Sequence, residues 1–389
     1  MKMRKLLTVL LTVAMVAAMV GCSSTSTTET TSEATTEATT DGDDTEVADA
    51  TEATEEEVEE DTSFNPDNED GVSIEEIRAE YGAVPVTDDL DIGVVAKSFD
   101  NEYWRTLKEG YEAGAEYLAD LGFTMNVEIQ AAQGEDDETG QLAIVNNMIN
   151  QAYDLLFLSP ISDANLTPAV EIANEDGIPV VNVNDGLIAE APYFVGPQAY
   201  QNGELAAEWI SEQLGGEGEV AIVVGMAKAF AAGQRTAGFE DWMAENATGI
   251  DIVATQNADW DRQQAKELAE TWIQQYPDLK AIFCNNDTMA LGVVEAVEEQ
   301  GVDILVVGVD GIGEAYDSIR EGGLDATIDS FPYYKAQIAL ECGLRALAGQ
   351  EVPRVVWTPQ ALIDSTNVDE DAAEIIGWEY AEYELYVAE

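Results

Sequence analysis

The 389-residue chain contains no histidine. No Ser-His-Asp or Cys-His nucleophile pair can therefore form, and no imidazole can ligate a metal. Cysteine is almost as scarce: after Cys22 only Cys284 and Cys342 remain, one in a strand-like and one in a helix-like stretch. Two thiols far apart in sequence make no disulfide framework, so both are expected to be free and buried. Basic residues are few, 16 Lys plus Arg against 78 Asp plus Glu. From residue 81 onward 57 acids face 12 bases, a net charge near −45 that repels nucleic acid and anionic membrane surfaces. The nearest approach to a calcium loop, "NPDNEDGVSIEE" from Asn65, puts Gly71 out of register with the acidic positions. No metal and no cofactor are expected. Long apolar runs are also missing, with one exception.

That exception runs from Leu6 to Val20, behind Lys2, Arg4 and Lys5. Fifteen apolar-to-small residues are too few to span a bilayer comfortably, so residues 1–21 read as a secretory signal. The run ends in "MVGCSS", which resembles the lipobox of bacterial lipoproteins, with Met19 at the usual Leu position. The resemblance implies cleavage before Cys22, lipidation of its thiol, and an extracytoplasmic protein anchored to the membrane. A plain signal peptide with an incidental Cys is the alternative. Beyond it, Ser, Thr and acids dominate as far as Glu80, with too little apolar surface to bury. Residues 22–86 are expected to form a disordered acidic tether.

From Leu90 the composition becomes globular and alternates. Apolar strands such as "LDIGVVAK", "DLLFLSP", "EVAIVVG" and "ILVVGVD" are separated by amphipathic helices. Strands that are apolar throughout, with helices between them, indicate parallel sheets covered on both faces. The rhythm restarts after "YFVGP", and a barrel would need eight near-equal units, so the fold class is α/β with two doubly wound parallel-sheet lobes. The late helix "PYYKAQIALECGLRALAG" is surplus to the second lobe.

Ligands of open parallel sheets gather at the carboxyl ends of the strands. Here those ends read "AKSFDNEYW", "NVND", "QNADWDR", "CNND" and "GVDG". Helix capping explains Asn and Asp at such places, and Asp261 and Asp287 are expected to be caps. Capping does not call for Tyr103, Trp104 and Trp260 at the same ends. Aromatic faces rimmed by amides and carboxylates suit a small polyhydroxylated ligand.

Five segments, "IGVVAKSFDNEYWRTLKEG", "AAGQRTAGFEDWM", "NADWDRQQAKELAETWIQQYPDLKAIFCNNDTMALG", "VVGVDG" and "DATIDSFP", occur in an order that resembles the ribose-binding class of type I periplasmic binding proteins. The resemblance spans Asp91 to Ile363. It implies two lobes joined by a three-crossover hinge: residues 87–197 with 331–357, and residues 198–330 with 358–389. It further implies a sugar trapped between the lobes and delivered to the permease of an ABC importer, by a monomer without enzymatic activity. Carried over by position, the ligand-binding residues are Asn101, Tyr103, Trp104, Asn184, Asp185, Arg235, Trp260, Asn286, Asp310 and Ser330. The sequence departs from the ribose binders at Lys97, where they carry a small hydroxyl residue, at Asn184-Asp185 in place of Asp-Arg, and at Ser330 in place of Gln. Lys97 either meets an oxygen-rich or anionic ligand or pairs with Asp185.

Other classes fit less well. A sugar-responsive repressor would begin with a basic helix-turn-helix, where this chain has a signal and an acidic stretch. A glycosidase could use Asp185 and Asp310, but strand-end amides give no reason for one of them to be protonated. A receptor that reports the ligand to a membrane sensor has the same sequence signature as a transport protein.

Overall fold

The computed structural model describes residues 64–377 apart from 85, 88 and 185. The signal, Cys22 and the tether as far as residue 63 lie outside the described residues. In chain order the first elements are α1 (Ile74–Tyr81), β1 (Leu90–Ser98), α2 (Glu102–Asp120), β2 (Met125–Ala132), α3 (Glu138–Asn150), β3 (Leu155–Leu158), α4 (Thr167–Asp176), β4 (Val180–Val183) and β5 (Tyr193–Gly196). There follow α5 (Ala199–Leu214), β6 (Glu217–Val224), α6 (Phe230–Asn246), β7 (Gly249–Asn257), α7 (Arg262–Gln275), β8 (Leu279–Cys284), α8 (Asp287–Gln300), β9 (Leu305–Asp310), α9 (Gly313–Glu321) and β10 (Ala326–Asp329). The chain continues through α10 (Pro332–Leu347), β11 (Val355–Trp357), β12 (Ala361–Asp364) and α11 (Ala372–Ile376).

The strands form two sheets, ordered β11-β5-β4-β3-β1-β2 and β12-β10-β9-β8-β6-β7. This is the expected pair of doubly wound lobes, with one departure: β12 runs antiparallel to β10. Successive residues point to opposite faces of a strand, and the two faces of each sheet reach different apolar clusters. In the first sheet Val95, Leu156, Leu158 and Val180 pack with Val145, Met148 and Val170 of α3 and α4. The opposite face, with Val94, Leu155, Phe157 and Val181, joins the cluster that holds Leu107, Tyr111 and Leu344 of α2 and α10. Burial on both faces is why β3 is wholly apolar and why Asn182, inside β4, donates to Gly186 O and accepts from Ile188 N.

The chain changes sheets between Gly196 and Ala199, between Asp329 and Pro332, and between Trp357 and Ala361. The second passage explains the helix that was surplus to the second lobe. Helix α10 returns to the first lobe and lies so close on α2 that a methyl group at Gly110 would sit 2.2 Å from the Tyr333 carbonyl oxygen. Only glycine admits that approach. Cys284 and Cys342 are both free and buried.

The expectation of a structureless tether up to residue 86 is corrected for residues 64–82. Ser73 and Glu76 form a reciprocal capping box that starts α1. Val72 bridges Val356 of the first sheet, and Ile74 and Ile77 are buried. The acid-rich composition hid these three apolar residues. Arg78 anchors the helix to α10 by a 2.7 Å ion pair with Glu341, which Arg345 meets at the same distance from the other side. Glu341 and Arg345 have no exposed surface. Removing one member of a buried charge group strands the others. Glu341→Ala should therefore cost about 3–5 kcal/mol in urea unfolding, and a loss below about 1 kcal/mol would show that the arginines find other partners.

Candidate functional site

The two sheets face each other at the carboxyl ends of their strands, and a small cavity lies between them. Its lining comes from both lobes. Lys97 from β1, Asn101, Tyr103 and Trp104 from the turn into α2, and Glu135 from the loop after β2 form one wall; Arg235 of α6, Trp260 after β7, Asn286 before α8 and Asp310 at the end of β9 form the other. Asn101, Glu135 and Trp260 also line the wider groove into which the cavity opens.

The first wall is built by a capped helix start. The Asn101 side chain accepts from Tyr103 N at 3.0 Å, which begins α2 and sets Tyr103 and Trp104 in its first turn. Glu135 then satisfies the polar edges: its Oε1 accepts from Trp104 Nε1 at 2.7 Å and from Asn101 Nδ2 at 3.2 Å. The indole face is left to the cavity. Tyr103 turns its hydroxyl away from solvent, donating to Asn184 Oδ1 and accepting from Lys335 Nζ at 2.5 Å. Lys335, fully buried at the start of α10, also donates to Asn184 Oδ1 at 2.6 Å.

On the second wall, Arg235 donates to the Asn285 carbonyl at 2.6 Å and stands 3.7 Å from Asp310 Oδ1. Trp260 adopts a left-handed backbone (φ 66°) and lays its six-membered ring over Gly225, where a methyl group would sit 2.1 Å from Cη2. The Lys97 ammonium, buried between the walls, lies 5.3 Å from the Trp104 ring centroid and 5.9 Å from that of Trp260, within reach of both π faces. The cavity thus offers two indoles from opposite lobes, amide and cationic donors, and carboxylate acceptors.

Of the positions expected from the sequence, Lys97, Asn101, Tyr103, Trp104, Arg235, Trp260, Asn286 and Asp310 line the cavity. Asn184 is set behind Tyr103, and Ser330 is buried at the second crossover, neither on the lining. Asp185 lies outside the described residues. One expected role is corrected. Asn286, not Asp287, caps α8, accepting from Met289 N at 3.0 Å. Asp287 instead receives Gly311 N, Ile312 N and Thr327 Oγ1 at 2.8, 3.1 and 2.7 Å, and so holds the loop that follows Asp310. Asp261 caps α7 as expected.

Glu135 and Lys335 were missed in the sequence. Glu135 sits in "GEDDE", where nothing separates one acid from its solvated neighbours. Lys335 had a readable signal: it falls with Ile338, Ala339 and Cys342 on one apolar helical stripe.

Two further acids lie just behind the site. Burial pushes the Asp287 carboxyl up to about 6. Asp329, at the second crossover, is pushed up to about 7, by burial first and by the repulsion of Asp287, against opposing hydrogen bonds from Phe331 N at 2.6 Å and Tyr316 OH at 2.8 Å. A carboxyl raised in the folded state binds more protons folded than unfolded. Its stabilising contribution is full below the unfolded value of 3.8 and is lost as the pH rises through about 7. Asp329→Asn keeps one acceptor oxygen for Phe331 N and turns an amide N–H toward the Tyr316 oxygen, and it should flatten the fall in stability between those values, measured by urea unfolding at several pH values. Curves of equal slope for both proteins would refute the assignment.

Comparison with known proteins agrees with this fold. The periplasmic binding protein domain family matches residues 92–351. A D-ribose/D-allose-binding protein of Pseudomonas aeruginosa is 34% identical over 70% of this chain and 88% of its own length. A ribose import binding protein of Bacillus subtilis is 32% identical over 70% and 87%. Among solved structures, an ABC transporter periplasmic solute binding protein of Actinobacillus succinogenes with bound D-allose superposes with a TM-score of 0.68 at 30% identity, covering 72% of this chain and 99% of that one. A solute binding protein of Bacillus halodurans with bound myo-inositol gives 0.66 at 28% identity, covering 74% and 98%.

Proposed function

The chain belongs to the periplasmic binding protein domain family, and from that premise we propose that it captures a sugar or related polyol between its lobes and delivers it to an ABC importer. The observation that carries the reading is the pair of indoles, Trp104 and Trp260, brought from opposite lobes to one cavity whose rim alternates donors and acceptors. An aliphatic ring has C–H faces for the indoles and hydroxyls for the rim. Asn286 uses its carbonyl oxygen as a cap and keeps its amide N–H groups for the ligand; Asp310 accepts, and Arg235 and Lys97 donate. Charge-assisted hydrogen bonds of this kind are the strong ones.

Binding proceeds without bond-making. The ligand touches both walls only when the lobes are together, so its differential affinity drives closure, and the permease reads the closed form. Lipidation of Cys22 would hold the monomer at the outer face of the membrane, within reach of that permease. Cys22→Ser should move the protein from the membrane fraction to the medium or leave it uncleaved; an unchanged membrane fraction would remove the anchor from the proposal.

A thermal-shift screen of D-ribose, D-allose, myo-inositol and sugar acids identifies the ligand, since a compound at 100 times its dissociation constant stabilises by about 2.7 kcal/mol. With the best compound, Trp260→Ala should cost about 2–4 kcal/mol of binding, and Trp260→Phe should retain much of it. Calorimetry that finds the Ala variant within a few-fold of wild type would place this indole in the core and not in the site.

A further inference from the structure

The described helices fall into three groups by how they begin. Six carry a side-chain cap of their own: Ser73, Asn101, Asp137, Asp261, Asn286 and Asp371 start α1, α2, α3, α7, α8 and α11. Two, α4 and α10, have proline in the first turn, which needs no N–H partner. The remaining three are α5, α6 and α9, which begin after Gln198, Ala229 and Ile312 with no cap from their own residues. All three belong to the second lobe, and each is met by a carboxylate from outside it. Asp67, in the segment joined to the first sheet through Val72, accepts from Tyr200 N of α5 at 3.4 Å. Asp163 accepts from Phe230 N of α6 at 3.1 Å, while also accepting from Leu187 N of its own lobe at 3.2 Å. Glu102 accepts from Glu314 N of α9 at 3.3 Å.

We propose that Asp163 and Glu102 are positioning residues that latch the lobes together by capping, across the cleft, the two helix starts that frame the ligand wall of the second lobe. The inference rests on the sugar-binding reading for its consequence but not for its geometry. Helix α6 carries Arg235, and α9 follows directly on Asp310. A helix start needs acceptors for its first N–H groups, and a carboxylate there also complements the helix dipole. Asp163 and Glu102 can meet those needs only while the lobes are together; with the lobes apart the exposed N–H groups turn to water. Lys228, two residues before the start of α6, adds an ion pair to Glu138 across the same cleft. Asp67 differs in place: it meets α5 immediately after the first crossover, where a hinge motion would displace it least, so it is no part of the latch.

The consequence is energetic. The caps bias the lobes toward the arrangement that assembles the site, and apparent affinity scales with the populated fraction of the competent form. Neither carboxylate belongs to the cavity lining, and Glu102 borders only the wider groove outside it, so they should alter affinity without altering choice.

Hydrogen exchange read by mass spectrometry on the full chain tests this, with D-allose and D-ribose as probes. A purely local cap would protect only its own helix. A latch joins two rigid bodies, so Asp163→Ala should speed exchange at the first turn of α9 as well as α6, and Glu102→Ala should speed exchange at α6 as well as α9. Asp163→Asn, which keeps an acceptor oxygen, should restore most of the protection. The double Ala variant should weaken whichever probe binds by about tenfold, through faster dissociation, and leave the allose-to-ribose ratio unchanged. Exchange confined to the mutated side, or a double variant within twofold of wild type for the probe that binds, would overturn the latch. If neither sugar binds the wild type, the ligand is sought among the other compounds of the thermal-shift screen, the ligand reading falls only if none of them binds, and the crossed exchange pattern decides the latch in either case.

Discussion

A parallel sheet covered by helices on both faces has one place for polar chemistry, the carboxyl ends of its strands. In this protein two such sheets are turned end to end, and every wall of the cavity follows from that arrangement. Lys97, Asp310 and the residues just after β1, β7 and β8 stand where an apolar strand stops and its helix has not yet begun. Neither sheet alone encloses anything. The site exists as a relation between two rigid bodies, so the three crossings that connect them matter to binding as much as the side chains do.

This constraint also accounts for what could be read from the sequence. Strands apolar throughout end abruptly, so the polar residues at "SFDNEYW", "ADWDR", "CNND" and "GVDG" announced themselves, and most of them line the cavity. What escaped depends on contacts with no periodicity. Glu135 acts on Trp104 and Asn101 from a loop of like acids. Asn184 ends a strand as the others do, yet its amide oxygen is taken by Tyr103 and Lys335, which sets it behind the wall. The role of Asn286 against Asp287 was decided by the return of the β9–α9 loop onto the Asp287 carboxylate, a contact between distant residues.

Buried charge is handled differently on the two sides of the wall. Lys97 and Arg235 lie on the lining, among aromatic faces and carboxylates, where a ligand can share in their solvation. Lys335 lies behind it, fully enclosed, with its ammonium directed to the neutral oxygens of Tyr103 and Asn184. The same ammonium favours the ionised form of Asp329 across the second crossover, which links the packing of the first wall to the chain that joins the lobes.

Backbone strain is concentrated in the same layer. Asn184, Asp259, Trp260, Asp310 and Phe331 all have positive φ, and each lies at a strand end or a crossover. For Asn184 and Asp259 this left-handed conformation is tolerable, whereas for Trp260 and Phe331 it is a genuine outlier. Such residues persist only where their surroundings over-determine them. Trp260 is fixed by the Asp261 N to Ala258 O turn at 2.8 Å and by the bare backbone of Gly225 beneath its ring. Phe331 is fixed by its amide bond to Asp329 and by burial of its ring. A left-handed turn at Trp260 brings the indole back over the end of β6 instead of outward along α7, and that places the second lobe's aromatic face in a cavity whose other indole, Trp104, comes from the first lobe. The strain at Phe331 bends the chain between the lobes within two residues of Asp329. Both outliers therefore serve one geometric end: they let stiff, fully packed sheets present a wall and a hinge that regular strand and helix geometry could not provide.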